Sequence, residues 1–173
     1  MILVVFLNKY DKQVHMMGKN LPSYLKGDYV KIFTRYPDKE YEQCEVADTF
    51  NKIREYAKVF DKIIVSFGLR LFPPSAYKDI VDEYKKTDRS LVFLKEMRGS
   101  KTWTLTEGQL AFDNYRVVDT GIFILTAQDV KETKTDNFNT FLKELVKKKR
   151  IDHKFVSYWL LTSSKRTPPK RRR

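Results

Sequence analysis

The 173-residue sequence predicts an α/β protein, a three-layer α/β/α sandwich around a mixed, mostly parallel central sheet. Three observations carry that expectation. Short runs of consecutive apolar residues, Ile2–Leu7 first among them, are strands to be buried on both faces. Two segments with apolar residues every three or four positions are helices with one face for a sheet. Between residues 61 and 95 the pattern passes from strand period to helix period and back with short connections, which suits a crossover unit joining a parallel pair.

The elements follow in order. Ile2–Leu7 is expected at the centre of the sheet. The next stretch, Asn8-Lys-Tyr-Asp-Lys-Gln-Val-His-Met-Met-Gly-Lys, has Gly18 as its one glycine, so the glycine-rich loop that closes backbone N–H groups on phosphates is missing. Lys9, Lys12 and Lys19 remain as solvated point charges. Tyr29-Val-Lys-Ile-Phe is a short strand with polar alternation, and Tyr36-Pro-Asp-Lys-Glu is a turn. Residues 45–60 form a helix with Val46, Phe50, Ile53, Ala57 and Phe60 on one stripe.

The apolar strand Lys62-Ile-Ile-Val-Ser-Phe stops at Gly68. Pro73 and Pro74 then introduce a helix over 75–87, and a second strand covers 90–95. Residues 102–113 read as two short strands about Glu107-Gly108. The run Val117-Val-Asp-Thr-Gly-Ile-Phe-Ile-Leu is a further strand, and its interior Gly121 marks either close approach of a ligand or a bulge. A last helix starts near Asp136 or Asn137, either a good N-cap, with Phe138, Phe141, Leu142, Leu145 and Val146 on one face. Residues 154–161 are expected as the closing strand.

Composition narrows the classes of function. An apolar fraction of 42% supplies a core without metals or disulfides, and the single Cys44 excludes a disulfide framework or a cysteine zinc site in a monomer. Cys44 reads as a small, half-buried apolar residue. No run approaches the ~20 apolar residues of a membrane span, and the opening Met-Ile-Leu-Val-Val-Phe-Leu lacks a basic leader, which predicts a cytoplasmic, intracellular protein. His15 and His153 are too far apart for a local metal pair, and no Ser/His/Asp or nucleophilic cysteine spacing occurs. The aromatic residues fall largely on core periodicities, so a base-stacking platform is not indicated.

The net charge of +12 is uneven. Lys165, Arg166, Lys170, Arg171, Arg172 and Arg173 carry half of it within the last nine residues, so the chain divides into a domain over 1–164 and a basic, disordered tail over 165–173. Such a tail attracts polyanions such as nucleic acid, with steep salt dependence, or simply aids solubility. Lys147, Lys148, Lys149 and Arg150 close the last helix, where they complement its dipole or extend a polyanion patch.

In this order the elements resemble the sugar-nucleotide nucleotidyltransferases and the wider glycosyltransferase A superfamily. Lys62-Ile-Ile-Val-Ser-Phe-Gly-Leu sits where that family has an apolar strand ending in Gly-Asp. The run Val117-Val-Asp-Thr-Gly-Ile-Phe-Ile-Leu looks like its Val-Asn-Thr-Gly-Ile-Tyr-Ile-Leu strand, and Ser157-Tyr-Trp-Leu-Leu-Thr looks like its Gly-Tyr-Trp-x-Asp-Ile-Gly-Thr segment. The resemblance implies a transferase using a nucleotide or nucleotide sugar, with a divalent cation (Mg or Mn) in active members. Its ligand would lie at the carboxyl ends of the parallel strands near Gly68, Leu69, Arg70, Asp119 and Gly121.

The departures fall on the chemistry. Leu69 and Leu161 stand where the family holds its cation with two aspartates, and the N-terminal glycine loop is absent. Metal-free phosphate chemistry loses several kcal/mol of charge stabilisation in the transition state. Arg70 is the candidate replacement charge, and Asp119 stands where the family presents an amide to the sugar, so it is the candidate catalytic residue. The alternative is an inactive pseudoenzyme on the same scaffold, a regulatory module for a protein or nucleic acid reached through the tail and residues 147–150.

Overall fold

A computed structural model of the chain describes residues 1–7, 20–21, 23, 29–67, 70–71, 74–96, 102–106, 109–113, 117–156 and 161–162. The strands are β1 (Ile2–Leu7), β2 (Tyr29–Thr34), β3 (Glu42–Gln43), β4 (Lys62–Phe67), β5 (Arg70–Leu71), β6 (Ser90–Glu96), β7 (Thr102–Thr106), β8 (Gln109–Asp113), β9 (Val117–Thr126), β10 (Ile151–Phe155) and β11 (Leu161–Thr162). The helices are α1 (Thr49–Ala57), α2 (Pro74–Lys86), α3 (Ala127–Glu132) and α4 (Phe138–Lys147).

Among the described residues the main sheet has seven strands in the order β10-β6-β9-β4-β1-β2-β3. β1 pairs parallel with β2 and β4, β2 with β3, and β10 with β6. β9 is the exception, antiparallel to both β4 and β6. The sequence predicts β4 and β6 as a parallel pair; they do run the same way, but β9 lies between them. The reason is where β9 starts. β6 ends at the carboxyl edge, the antiparallel pair β7–β8 follows, and a strand leaving that edge has to run backwards. The α2 crossover therefore spans two strand spacings, roughly 10 Å.

Alternation along the strands makes two cores. Ile2, Val4 and Phe6, with Ile63, Val65, Phe123 and Leu125, pack under α1, α3 and α4 through Phe50, Ile53, Val130, Phe141 and Leu145. Leu3, Val5 and Leu7, with Ile64, Phe93, Ile122 and Ile124, pack under α2 through Ala76, Tyr77 and Ile80. A continuous apolar strand is needed because both its faces are covered. Helices on both faces of one sheet make the three layers.

Three sequence expectations shift here. Val46 leaves the predicted stripe: residues Val46–Asp48 wind as a short 3-10 turn ahead of α1, and its side chain is 52% exposed. Tighter winding rotates it off the α-helical face. The closing strand predicted over 154–161 begins instead at Ile151 and ends at Phe155. An edge strand held by main-chain pairing to β6 needs no apolar run, and this one is mostly exposed. Residues 157–160 lie outside the described residues, and Leu161 and Thr162 belong to a separate two-stranded ladder.

The amino end of the sheet is closed by polar groups. Ser90 Oγ donates to Asp129 Oδ2 at 2.6 Å and accepts from the Thr126 N–H at 3.1 Å. Arg150 Nε meets the buried Asp129 Oδ1 at 2.8 Å as an ion pair, not an aligned hydrogen bond. The same guanidinium pairs with Glu132, whose carboxyl is held below its ordinary pKa by the Gln128 amide and by Arg150. Lys62 Nζ donates to the Thr87 and Tyr84 carbonyls, satisfying the C-terminus of α2. Asn137 caps α4 by accepting from the Thr140 N–H at 3.0 Å. At the other end of α4, Lys149 adopts φ +54, with Lys149 N–H bonded to Val146 O and Arg150 N–H to Leu145 O, a Schellman closure without glycine. Among the described residues no helix is long and apolar enough to cross a membrane.

Candidate functional site

The carboxyl ends of β1, β2 and β4 come together with the entering end of β9. Arg35 N–H donates to Leu7 O at 3.0 Å and Cys44 N–H to Thr34 O at 2.9 Å, so the chain wraps the tips of β1 and β2. On the α1/α4 side the tips are aromatic. Phe6 stacks on Phe33 and Phe67 at 5.3 and 5.5 Å, and Phe67 continues to Phe138 at 4.7 Å. They leave a cavity of about 40 Å³ lined by Phe6, Leu7, Phe33, Thr34, Cys44 and Phe67 among others. Ligand sites are about ten times larger, so core side chains close this face of the tips. Burial also raises the pKa of the Cys44 thiol, which disfavours the thiolate there.

The opposite rim is built by β9. Its ladder with β6 shifts between Val92 and Leu94: Val92 faces Phe123, but Leu94 faces Asp119. Thr120, Gly121 and Ile122 therefore oppose Phe93, a bulge held by Thr120 Oγ1 donating to Phe93 O at 2.9 Å. Gly121 sits in it at φ +76, and a Cβ there would lie 3.1 Å from the Phe67 carbonyl oxygen. The close approach at Gly121 is thus made by the backbone of β4, the bulge alternative in the sequence. Asp119 lies on the outer side of the bulge, where β9 meets the last residues of β6.

Just beyond Phe67, β5 and β11 form a short antiparallel ladder, Leu71 opposite Leu161 and Arg70 opposite Thr162. This brings together the two segments, more than ninety residues apart in the chain, that the sequence singled out for their missing acids. Gly68 and Leu69 lie outside the described residues, as do Lys165, Arg166, Lys170, Arg171, Arg172 and Arg173. Lys147, Lys148 and Lys149 are exposed, and they stand at the amino end of the sheet, away from the carboxyl edge. Arg150 beside them is engaged with Asp129 and Glu132.

Sequence reasoning passed over Thr34 and Ser66, both buried at strand ends on this edge. Ser66 Oγ has no hydrogen-bond partner among the described residues. A polar residue inside an otherwise apolar strand was the available signal. Among the described residues no group of three or more His, Cys, Asp or Glu side chains is placed to hold a metal ion.

No protein-family model and no curated protein matches the chain. Solved structures do. A protein described as a glucose-1-phosphate thymidylyltransferase from Bacillus anthracis, in complex with a sucrose, aligns over 94% of this chain and 90% of its own, at 11% identity and TM-score 0.67. HddC from Yersinia pseudotuberculosis aligns over 93% of this chain and 72% of its own, at 14% identity and TM-score 0.57. The same protein complexed with GMP-PN aligns over 94% and 93%, at 12% identity and TM-score 0.61. The chain has the fold of the sugar-nucleotide nucleotidyltransferases.

Proposed function

We propose that this chain descends from nucleotidyl- or glycosyltransferases, binds a nucleotide or nucleotide sugar at the carboxyl edge of its sheet, and has a degenerate cation site. The observation that carries the reading is the β5–β11 ladder. It brings the two segments that would furnish cation ligands side by side, and their residues are Arg70, Leu71, Leu161 and Thr162, with Leu69 adjoining. A hard divalent cation takes carboxylate, carbonyl or water oxygens. Leucine side chains offer none and an arginine repels the ion, so the donor set does not fit Mg or Mn. Charge for the phosphates then has to come from cationic side chains, and Arg70 is the nearest in sequence. The reading includes an intracellular setting, where nucleotide sugars are available. The pseudoenzyme reading gains support from the same leucines.

Titration with UDP-, GDP- and dTDP-sugars, with and without manganese, tests the proposal. Binding at millimolar concentration or tighter is expected, unchanged by manganese and without turnover. Metal-dependent turnover would restore an active transferase with Asp119 in its site. No binding of any sugar nucleotide would leave a module that keeps only the fold.

A further inference from the structure

We propose that β10 is a self-complementary edge through which two copies of this chain pair, strand against antiparallel strand, about a two-fold axis at His153. The pairing is independent of the nucleotide reading, because it uses the lateral end of the sheet and not the tips of β1, β2 and β4.

The main chain of β10 is open on one side. Among the described residues it is the outermost strand of the main sheet, beside β6, and residues 152–155 are exposed. Just after it, Val156 N–H donates to Leu94 O at 2.8 Å. In a parallel ladder, residues bonded to the neighbour alternate with residues whose main-chain groups point away. Lys154 and Asp152 therefore turn their N–H and C=O groups to β6 as Val156 does. Those of Ile151, His153 and Phe155 point outward, a row that a further strand can complete. The opposite edge offers no such row: β3 is two residues long, and its Glu42 is held by Lys31 and Lys52 at 3.3 and 2.9 Å.

The side chains select the occupant. An antiparallel copy centred on His153 sets Ile151 opposite the partner's Phe155, Asp152 opposite the partner's Lys154, and His153 opposite itself. Each unlike pair occurs twice, as a two-fold contact requires. Asp152 and Lys154 share the α2 face of the sheet with Leu91 and Phe93, and Ile151, His153 and Phe155 share the other. Every pair thus meets on one face, apolar with apolar and acid with base. The charges are already aimed, Asp152 by Arg89 at 3.2 Å and Lys154 by Glu83. Across the seam the order is Arg89, Asp152, the partner's Lys154, the partner's Glu83, alternating in sign. Asp152 and the partner's Lys154 fall on a non-hydrogen-bonded pair, where Cα atoms approach to about 4.5 Å and side chains interact most closely. Phe155, 56% exposed and edge-on to His153 at 5.6 Å, gains the cover of the partner's Ile151. A groove of about 490 Å³ beside β10, lined by Glu83, Lys86, Leu91 and Asp152 among others, leaves the α2 side of the strand open. With one acid and one base, β10 suits a second copy better than the acidic peptides that a chain of net charge +12 attracts. Five residues a side make less than a standard interface, so association in the micromolar range is expected.

Sedimentation velocity at physiological salt, from roughly 5 to 500 μM to bracket a micromolar constant, compares the full-length natural chain with Asp152→Lys, Lys154→Asp and His153→Pro. The natural chain is expected to pass from monomer to dimer. Each charge variant sets like charges opposite one another and is expected to associate ten-fold or more weakly. An equimolar mixture of the two restores both acid–base pairs and is expected to regain the dimer, which a misfolded variant or a lost own-chain ion pair does not allow. His153→Pro removes an outward N–H, a position where an edge strand accepts proline, so it is expected to abolish the dimer and leave a folded monomer. In the natural chain, amide exchange at His153 and Phe155 is expected to slow with rising concentration, while Lys154, bonded to β6, stays constant. A natural chain that remains monomeric throughout overturns the proposal. So does a dimer that all three variants form equally well, or a mixture that associates no better than its components. A monomer whose β10 amides shift on adding the peptide acetyl-Glu-Val-Glu-Val-Glu-amide assigns the edge to acidic peptides and also overturns self-pairing.

Discussion

The two ends of the sheet are built on different terms. At the amino end charged side chains join separate elements: Asp129 holds Ser90 and Arg150, Arg150 also holds Glu132, and Lys62 finishes α2. At the carboxyl end the features are a bulge with a left-handed glycine, a buried Ser66 hydroxyl with no hydrogen-bond partner among the described residues and a two-residue ladder joining Arg70 to Thr162. The amino end uses its charge to hold helices on the sheet, whereas the carboxyl end spends regular pairing to open and shape a rim. Stability belongs to the first and the proposed nucleotide site to the second, at the edge where open α/β sheets place their ligands.

Substitutions at each end break or sharpen that division. Asp129→Ala has the largest expected effect. It leaves the Ser90 hydroxyl without its acceptor and removes the buried one of the two carboxylates that hold the Arg150 guanidinium, about 3 kcal/mol of stability. In a chain of this size that lowers Tm by roughly 6–12 °C, while nucleotide affinity should not change. A loss below about 1 kcal/mol in urea unfolding would mean that the amino end is not the lock described.

Gly121→Ala comes next. Its Cβ would meet the Phe67 carbonyl oxygen at 3.1 Å on a backbone at φ +76, which L side chains rarely adopt. About 1–3 kcal/mol is expected to be lost, and here nucleotide binding should weaken too, because the rim shifts. A stabilised Ala variant would show that the bulge is not strained. Lys149→Gly is the smallest: relief of a left-handed lysine at φ +54 should add roughly 0.5–1 kcal/mol with no effect on the carboxyl edge. Calorimetry of the three variants side by side ranks them.

Much of the scaffold was legible because burial writes itself into periodicity. The α4 face over Phe141, Leu142, Leu145 and Val146, the Asn137 cap and the apolar run of β1 each follow from a local rule. The site was legible only as positions. Asp119, Arg70 and Gly121 could be named from local wording, but the bulge that separates Asp119 from the regular ladder depends on a register with β6 that no local pattern encodes. Cation clusters show the same limit. Lys147, Lys148 and Lys149 lie within fifteen residues of Thr162 in the chain, yet the lysines stand at the amino end of the sheet while Thr162 pairs with Arg70, just past the carboxyl end of β4.

The sequence by itself determined the α/β class, the two-sided burial of the central strands, the helix faces, and the leucines at the positions where the resembling family keeps aspartates. Those are properties of residue type and spacing, and burial free energy acts on them locally. Tertiary structure alone decided that β9 inserts antiparallel between β4 and β6, that Gly121 faces Phe67, and that Thr162 returns to Arg70. Pairing between distant strands is chosen by which edges remain open once the other elements have packed, and that choice belongs to the whole chain.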